Sequence, residues 1–375
     1  MAGLSQSPIR EVTGRIEAVG GINLGQGTCA LPPHPAVLEA AHAALEAGHN
    51  SYTHFEGIPS LKDAIIARHA AYSGLKLDRS EVLVTQGATG GLECACKSFL
   101  DPGDECVLFA PIYEYHVRLV RQRGALPRFV RMRGSDWRFD VNELEAVFNS
   151  RTKLVVLANP SNPTGKVFRA DELQLIGEAA ARHNAIVVVD EVYEYLVLNP
   201  AARHISLATL PGMFDRTLTL SSASKTFSCT GWRVGWCIGP DDLIRPLGIK
   251  SDETYICAPA PLQHAVAQGL RMPESYFDNI RTPFVSKCER LCGALGDAGF
   301  ALFRPEGAFY VFANYRPLGF DSDMSAMNAL IDRIGIGTVP GCAFYPDGFD
   351  TGMLRFCFAV EDDRLDEACS RLRRL

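Results

Sequence analysis

A lysine at position 225 sits in the stretch SSASKTFSCTGWRVGW, residues 221 to 236, among hydroxyl side chains and eight residues before Arg233. Either Lys225 is an ordinary solvated charge, or it is a nucleophile beside groups built to hold an anion, since hydroxyls and a planar guanidinium both suit an oxyanion. Three other stretches carry residue types that could do chemistry. VLVTQGATGGLECACKSFL (82–100) runs from an apolar strand through Gly87-Ala88-Thr89-Gly90-Gly91 into an apolar helix. Glycines let a backbone approach closely, and the free N–H groups of a helix N-terminus suit a phosphate. It lacks the Walker lysine and the dinucleotide G-x-G-x-x-G, so plain turn chemistry explains it equally well. VVLANPSNPTGKVF (155–168) ends a strand in a loop stiffened by Pro160 and Pro163, which could hold the Asn162 amide toward a ligand or simply turn the chain. AIVVVDEVYEYL (185–196) ends another strand in Asp190, with Tyr193 three residues on. A carboxylate at the mouth of an apolar strand needs a cationic or hydrogen-bonded partner, unless Asp190 caps the next helix.

The elements that must position these groups alternate. ECVLFA (105–110), KLVVLA (153–158), AIVVVD (185–190) and TLTLSS (217–222) are short apolar, β-rich runs of the kind buried on both faces of a parallel sheet. ADELQLIGEAAARHN (170–184) repeats its apolar residues at intervals of three and four, which predicts a helix. This alternation implies an α/β fold with a mostly parallel, doubly wound sheet. Toward the C-terminus a helical stretch over 275–297 gives way to the strand-like ALFRP, AFYVFAN, GIGTVP and MLRFCFA, which reads as a smaller α+β domain. We place the large domain at 48–280 and the small one at 1–47 plus 281–375.

Composition narrows the classes of partner. With 375 residues, 47% of them hydrophobic, the chain can bury a large core. Its 37 Lys and Arg against 43 Asp and Glu leave a net charge of −6. With no long block of one sign, the expected partners are small solutes, with no nucleic acid and no membrane. The twelve cysteines include the close pairs Cys94/Cys96 and Cys288/Cys292, but no second pair completes a zinc-site spacing, so reduced core thiols are expected and no metal. MAGLSQSPIREVTGRIEAVGG has no apolar run fit for a signal peptide, and the expected location is cytoplasmic.

Taken in order, INLGQG, SYTHFEGIPSLKDAI, GATGG, APIYEY, NPSNPTG, DEVY, SASKTF with TGWRVGW, EGAFY and LRFCFA resemble the motifs of the class I/II aminotransferases, enzymes of fold type I that use pyridoxal 5'-phosphate (PLP). The resemblance runs from about Gly25 to Arg355. It implies that Lys225 forms the internal Schiff base and then moves the proton at the substrate Cα. It implies that Ser222, Ser224 and Arg233, with Gly87, Ala88 and Thr89, hold the phosphate. Asp190 would pair with the pyridine nitrogen, Tyr193 and Asn162 with the ring's phenolic oxygen, and Tyr113 would stack on the ring. Arg355 would grip the substrate α-carboxylate, with Gly27 and Asn162 beside it. Tyr52 would reach the phosphate of a neighbouring subunit, which implies a homodimer with shared active sites.

The implied activity is exchange of an amino group between an L-amino acid and a 2-oxo acid by a ping-pong route. The alternative on the same residues diverts the substrate carbanion, as in a C–S β-lyase, a cyclase or an amino-acid oxidase. A ligand-sensing module of this fold is opposed by the acidic balance and the absence of a helix-turn-helix-like segment before residue 25. One departure from the family pattern concerns specificity. After Gly27 the chain has Thr28-Cys29-Ala30-Leu31-Pro32, and neither Arg245 nor Arg271 can be assigned to reading a side-chain carboxylate, so a neutral or aromatic donor is expected.

Overall fold

The computed structural model describes residues 8–345 and 348–375; the opening residues 1–7 of the leader-free reading lie outside them. Thirteen strands occur among the described residues: β1 (Ile22–Asn23), β2 (Val82–Thr85), β3 (Glu105–Ala110), β4 (Leu126–Arg131), β5 (Thr152–Ala158), β6 (Ile186–Asp190), β7 (Thr217–Ser222), β8 (Gly235–Ile238), β9 (Ala301–Phe303), β10 (Tyr310–Asn314), β11 (Ile336–Gly337), β12 (Val339–Pro340) and β13 (Met353–Cys357). The principal sheet has seven of them in the order β2-β8-β7-β6-β5-β3-β4. Only β8 runs antiparallel to its neighbours β2 and β7.

The apolar runs become this sheet because both faces are covered. Val155, Leu157, Val187 and Val189 pack on one side with Leu173 and Ile176 of the helix Ala170–Arg182. Leu154, Val156, Val188 and Leu218 pack on the other side, with Leu92 of the helix Gly87–Phe99 and Leu247 of the helix Asp241–Tyr255. Successive strand residues therefore enter different layers, which is why the runs carry no polar alternation. Each fully buried Val or Leu here contributes about 1.5–3 kcal/mol of transfer free energy.

A four-stranded antiparallel sheet, β12-β13-β10-β9, forms the C-terminal portion. Separately, β1 pairs in parallel with β11, and Val12, Ile16, Ile22 and Leu24 share a core with Leu291, Leu295, Leu330 and Leu365. Chain ends far apart in sequence thus close on one another.

Three local expectations change. The stretch 275–297 is two helices, Glu274–Asn279 and Thr282–Asp297, because Pro283 lies at the start of the second, where its ring and missing N–H prevent continuation. GIGTVP divides into β11 and β12, which belong to different sheets. Gly87 to Gly91 is not a turn before a helix but the first turns of the helix itself. A Cβ at Gly91 would come 2.8 Å from the Leu220 side chain, so the glycine allows close packing on β7. No described helix is long and apolar enough to cross a membrane, and no described cluster of three or more His, Cys, Asp or Glu could hold a metal ion.

Candidate active site

Parallel strands deliver their carboxyl ends to one edge of the sheet, where side chains escape the packed layers. There β5 ends at Ala158, β6 at Asp190 and β7 at Ser222, and the four-stranded sheet faces them with Tyr310 and Arg355. A cavity of about 510 Å3 opens between them. It is lined by Gly27, Ala88, Thr89, Tyr113, Asn162, Asp190, Tyr193, Ser222, Ser224, Lys225, Arg233 and Arg355. Gly87 lies immediately behind, where a Cβ would run into the Arg233 guanidinium.

Lys225 follows β7 in the short helix Ala223–Thr226, and its Nζ donates to the Gly27 carbonyl at 2.6 Å. Burial lowers its pKa to about 8, because desolvation penalises the ammonium form; the nearby Cys357, Cys29 and Asp190 act against that shift. A neutral amine, the nucleophilic form, is therefore accessible near neutrality. It is no solvated charge.

One end of the cavity gathers groups that suit an anion. The helix Gly87–Phe99 begins without a side-chain cap, the Gln86 amide donating instead to the Cys257 carbonyl at 2.6 Å, so no side-chain oxygen occupies the first-turn N–H groups. The Ser222 hydroxyl accepts from the Ser224 amide at 3.3 Å. Arg233, at φ 54°, donates to the Thr230 carbonyl at 2.9 Å and lies 3.5 Å from the Ser224 hydroxyl.

At the floor, Asp190 has the hydrogen-bonded partners a carboxylate at a strand end needs, and no helix follows for it to cap. Its Oδ1 accepts from the Val192 amide at 3.3 Å within a turn, while its Oδ2 lies 3.1 Å from His116 Nε2. His116 is buried, and its Nδ1 has no partner. The Tyr193 and Tyr310 hydroxyls share a 2.9 Å hydrogen bond. Burial raises the pKa of both, so each phenol is protonated.

The opposite wall carries Arg355, 1% exposed. Its Nη1 donates to Asn162 Oδ1 at 2.7 Å and its Nη2 to the Gly25 carbonyl at 2.5 Å, while its Nε is unpartnered. Its guanidinium stacks 4.3 Å from the Tyr310 ring centroid and 4.9 Å from that of Phe344. Among the described residues, neither Arg355 nor Arg233 forms an ion pair with a carboxylate. A buried cation without an anion is costly, so a cavity with three cationic side chains and one carboxylate is suited to bound anions.

Tyr52 is not brought to this cavity. It is 80% exposed and belongs to a separate depression of about 540 Å3, beside the stacked rings of His49 and His264. Sequence reasoning assigned no role to His116 or Tyr310. His116 lies three residues after Tyr113, which is one helical turn, and that spacing was its available signal. Tyr310 stood in plain view within EGAFY, but its meeting with Tyr193 depends on two separate sheets.

The family model described as aminotransferase class I and II matches residues 19–372. A probable N-succinyldiaminopimelate aminotransferase of Mycobacterium tuberculosis is 35% identical over 96% of this chain and 94% of its own. Kynurenine–oxoglutarate transaminase 3 of mouse is 36% identical over 92% and 83%. The solved structure of N-succinyldiaminopimelate aminotransferase from M. tuberculosis superposes with a TM-score of 0.96 at 35% identity, covering both chains completely. An Escherichia coli protein identified as having methionine aminotransferase function gives 0.96 at 26% identity, over 100% of this chain and 98% of its own. A match across nearly the whole length, on a cavity that brings an amine together with two arginines lacking carboxylate partners among the described residues, gives the conclusion that the chain belongs to the class I and II aminotransferase family.

Proposed function

We propose that this aminotransferase works with PLP covalently held at Lys225 and takes an amino donor whose side chain is uncharged. The observation that carries the reading is Lys225 itself, a half-buried amine of lowered pKa directed into a cavity with anion-binding groups at one end and Arg355, free of any carboxylate partner among the described residues, at the other.

When bound, PLP supplies a conjugated ring that accepts the electron pair released at the substrate Cα. The chain's own groups do the rest. Ser222, Ser224, Thr89, Arg233 and the first-turn amides of Gly87–Phe99 would hold its phosphate. Asp190, itself oriented by Val192 and His116, would keep a proton on its ring nitrogen. Asn162 and Tyr193 would hydrogen-bond its ring oxygen, and Tyr113 would pack against the ring. Arg355 binds the α-carboxylate in a planar fork. Lys225 Nζ takes the Cα proton and returns it, so an amino acid leaves as a 2-oxo acid and a second oxo acid is aminated in a ping-pong cycle.

The donor class follows from an account of cations. Lys225, Arg233 and Arg355 are the lysine and arginines lining the cavity among the described residues, and each already has a role. The remaining wall carries Gln26, Thr28 and Tyr115, which offer hydrogen bonds but no positive charge for a distal carboxylate.

The same reading takes 48–280 as the large domain and 1–47 with 281–375 as the small one, supported by the common core of the N-terminal and C-terminal segments. It takes the working unit as a homodimer in which exposed Tyr52 completes the neighbour's phosphate site. Twelve free cysteines, most of them buried, support a reducing, cytoplasmic setting.

Absorbance of the purified protein tests the cofactor and the donor together. Violet absorbance that is altered in Lys225→Ala, bleached by a neutral amino acid and restored by a 2-oxo acid is the expected result. A protein that binds no supplied PLP would defeat the mechanism, and steady release of ammonia or peroxide from one amino acid would favour diversion of the carbanion. Mixing Tyr52→Ala with Lys225→Ala protomers tests the shared site, because only a dimer regenerates an intact one.

A further inference from the structure

Asp323 opens the helix Asp323–Ile334, is 1% exposed, and accepts six hydrogen bonds. Its Oδ2 takes the Cys342 amide at 2.7 Å, the Thr351 amide at 3.1 Å and the Thr351 hydroxyl at 3.0 Å. Its Oδ1 takes the Tyr315 hydroxyl at 2.9 Å, the Gly352 amide at 2.9 Å and the Met353 amide at 3.2 Å. A helix start needs no carboxylate of this kind, and Ser322 already caps the helix through Ser325 at 3.1 Å. Apart from the Tyr315 hydroxyl, the donors belong to two stretches of chain that lie beside Arg355.

The first is Gly341–Phe344, which follows β12 and places Phe344 against the Arg355 guanidinium. The Phe344 carbonyl also accepts from the Ile112 amide at 3.0 Å, next to Tyr113 in the cavity. The second, Thr351–Met353, enters β13 two residues before Arg355. A Cβ at Gly341 would come 2.8 Å from the Met353 carbonyl, so the stretches lie back to back. One buried carboxylate is the common acceptor for both.

We propose that Asp323 is a positioning residue for α-carboxylate recognition: it ties Gly341–Phe344 to Thr351–Met353 and thereby holds Phe344 and Arg355 in register. The inference rests on reading Arg355 as the carboxylate-binding group. Arg355 receives no direct contact from Asp323; its guanidinium is held by Asn162 and Gly25 on one side and stacked by Phe344 on the other. Without the tie, the Phe344 side of that arrangement loosens while the phosphate cradle, built on the other sheet, is untouched.

Asp323→Asn preserves volume but turns an NH2 group toward backbone donors, so at least two of them lose their acceptor. Steady-state kinetics with L-methionine, L-glutamine and L-phenylalanine as donors, together with PLP titration of the apoprotein, read the effect. The expected result is a KM for the donor raised about tenfold or more, kcat within about threefold, and PLP affinity unchanged. Thr351→Val, which removes one of the six bonds, is expected to raise KM about two- to threefold and serves as the deciding variant if Asp323→Asn does not fold. Leu330→Ala, on the same helix but in the core, reports what destabilisation alone does. If the Asp323 and Thr351 variants match Leu330→Ala, losing melting temperature and kcat with KM unchanged, Asp323 is only structural and the proposal is overturned. If Arg355→Lys also leaves KM unchanged, the reading of Arg355 has failed beneath it; if Arg355→Lys raises KM while the Asp323 variants do not, only the present inference falls.

Discussion

Arg355 Nη1 donates to Asn162 Oδ1 across 2.7 Å, joining the last strand of the four-stranded sheet to the proline loop that follows β5 of the seven-stranded one. The amide oxygen thereby aims a buried guanidinium and leaves its Nε unpartnered. On the proposed reading, a substrate carboxylate would meet a fork already oriented, so little ordering cost would fall on binding.

Arg355→Lys should therefore cost more than a charge-conserving change suggests. Lysine keeps the charge but loses the planar fork and the stack against Tyr310. The expected loss is about 2–4 kcal/mol, roughly 30- to 1000-fold in kcat/KM, since a buried charged hydrogen bond is being broken. A variant within a few fold of wild type would remove Arg355 from the carboxylate site.

Lys225 sets a pH dependence whose sign follows from its lowered pKa of about 8 against the ordinary 10.5. Reaction of the apoprotein's Lys225 with trinitrobenzenesulfonate should rise through a midpoint near pH 8, whereas surface lysines rise near their ordinary value. For stability, the unfolded chain keeps this proton up to about pH 10.5 while the folded chain gives it up near 8. The unfolded state thus binds more protons in that window, and the Lys225 contribution to stability increases with pH across it. Below pH 8 the half-buried charge is destabilising, by an amount on the order of 2–3 kcal/mol, which Lys225→Met should recover in a melt at pH 7.

His116 is expected to matter although it is set behind the carboxylate. It orients the Asp190 oxygen at 3.1 Å, and its removal leaves a partly buried carboxylate short of a partner. His116→Leu should lower kcat about 10- to 100-fold, the worth of a hydrogen bond to a charged group. Unchanged turnover together with an unchanged spectrum of the bound cofactor would show Asp190 to be held by other means.

Gly87→Ala probes the cradle. Gly87 has φ 69°, where an L side chain costs about 1–2 kcal/mol, and the new Cβ would press on the Arg233 guanidinium. PLP affinity of the apoprotein should fall about tenfold or more, with a smaller effect on donor KM for the loaded enzyme. A normal PLP titration would place the phosphate elsewhere.

The seven-stranded sheet was legible where burial is two-sided. The runs at 105–110, 153–158, 185–190 and 217–222 became β3, β5, β6 and β7 within one or two residues, because apolar continuity is what a covered parallel strand requires. β4 escaped notice, since LPRFVR at the sheet edge alternates exposed and covered positions and carries two arginines. The helix over 275–297 was misjudged because periodicity continues across Pro283, while the proline's missing N–H does not permit one helix. At the site, residues with unusual types for their place, such as Lys225 among hydroxyls or Arg355 inside an apolar strand, stood out.

By itself the sequence determined the α/β class, the parallel strands and most of the residues that line the cavity, because these depend on local periodicity and on residue types set in short motifs. Tertiary structure alone decided what those residues become together. Segments 330 residues apart meet where Arg355 donates to the Gly25 carbonyl, and Tyr193 finds Tyr310 on the four-stranded sheet. No spacing along the chain encodes such contacts. They arise when parallel strands converge at their carboxyl ends, and the convergence encloses Lys225 closely enough to lower its pKa.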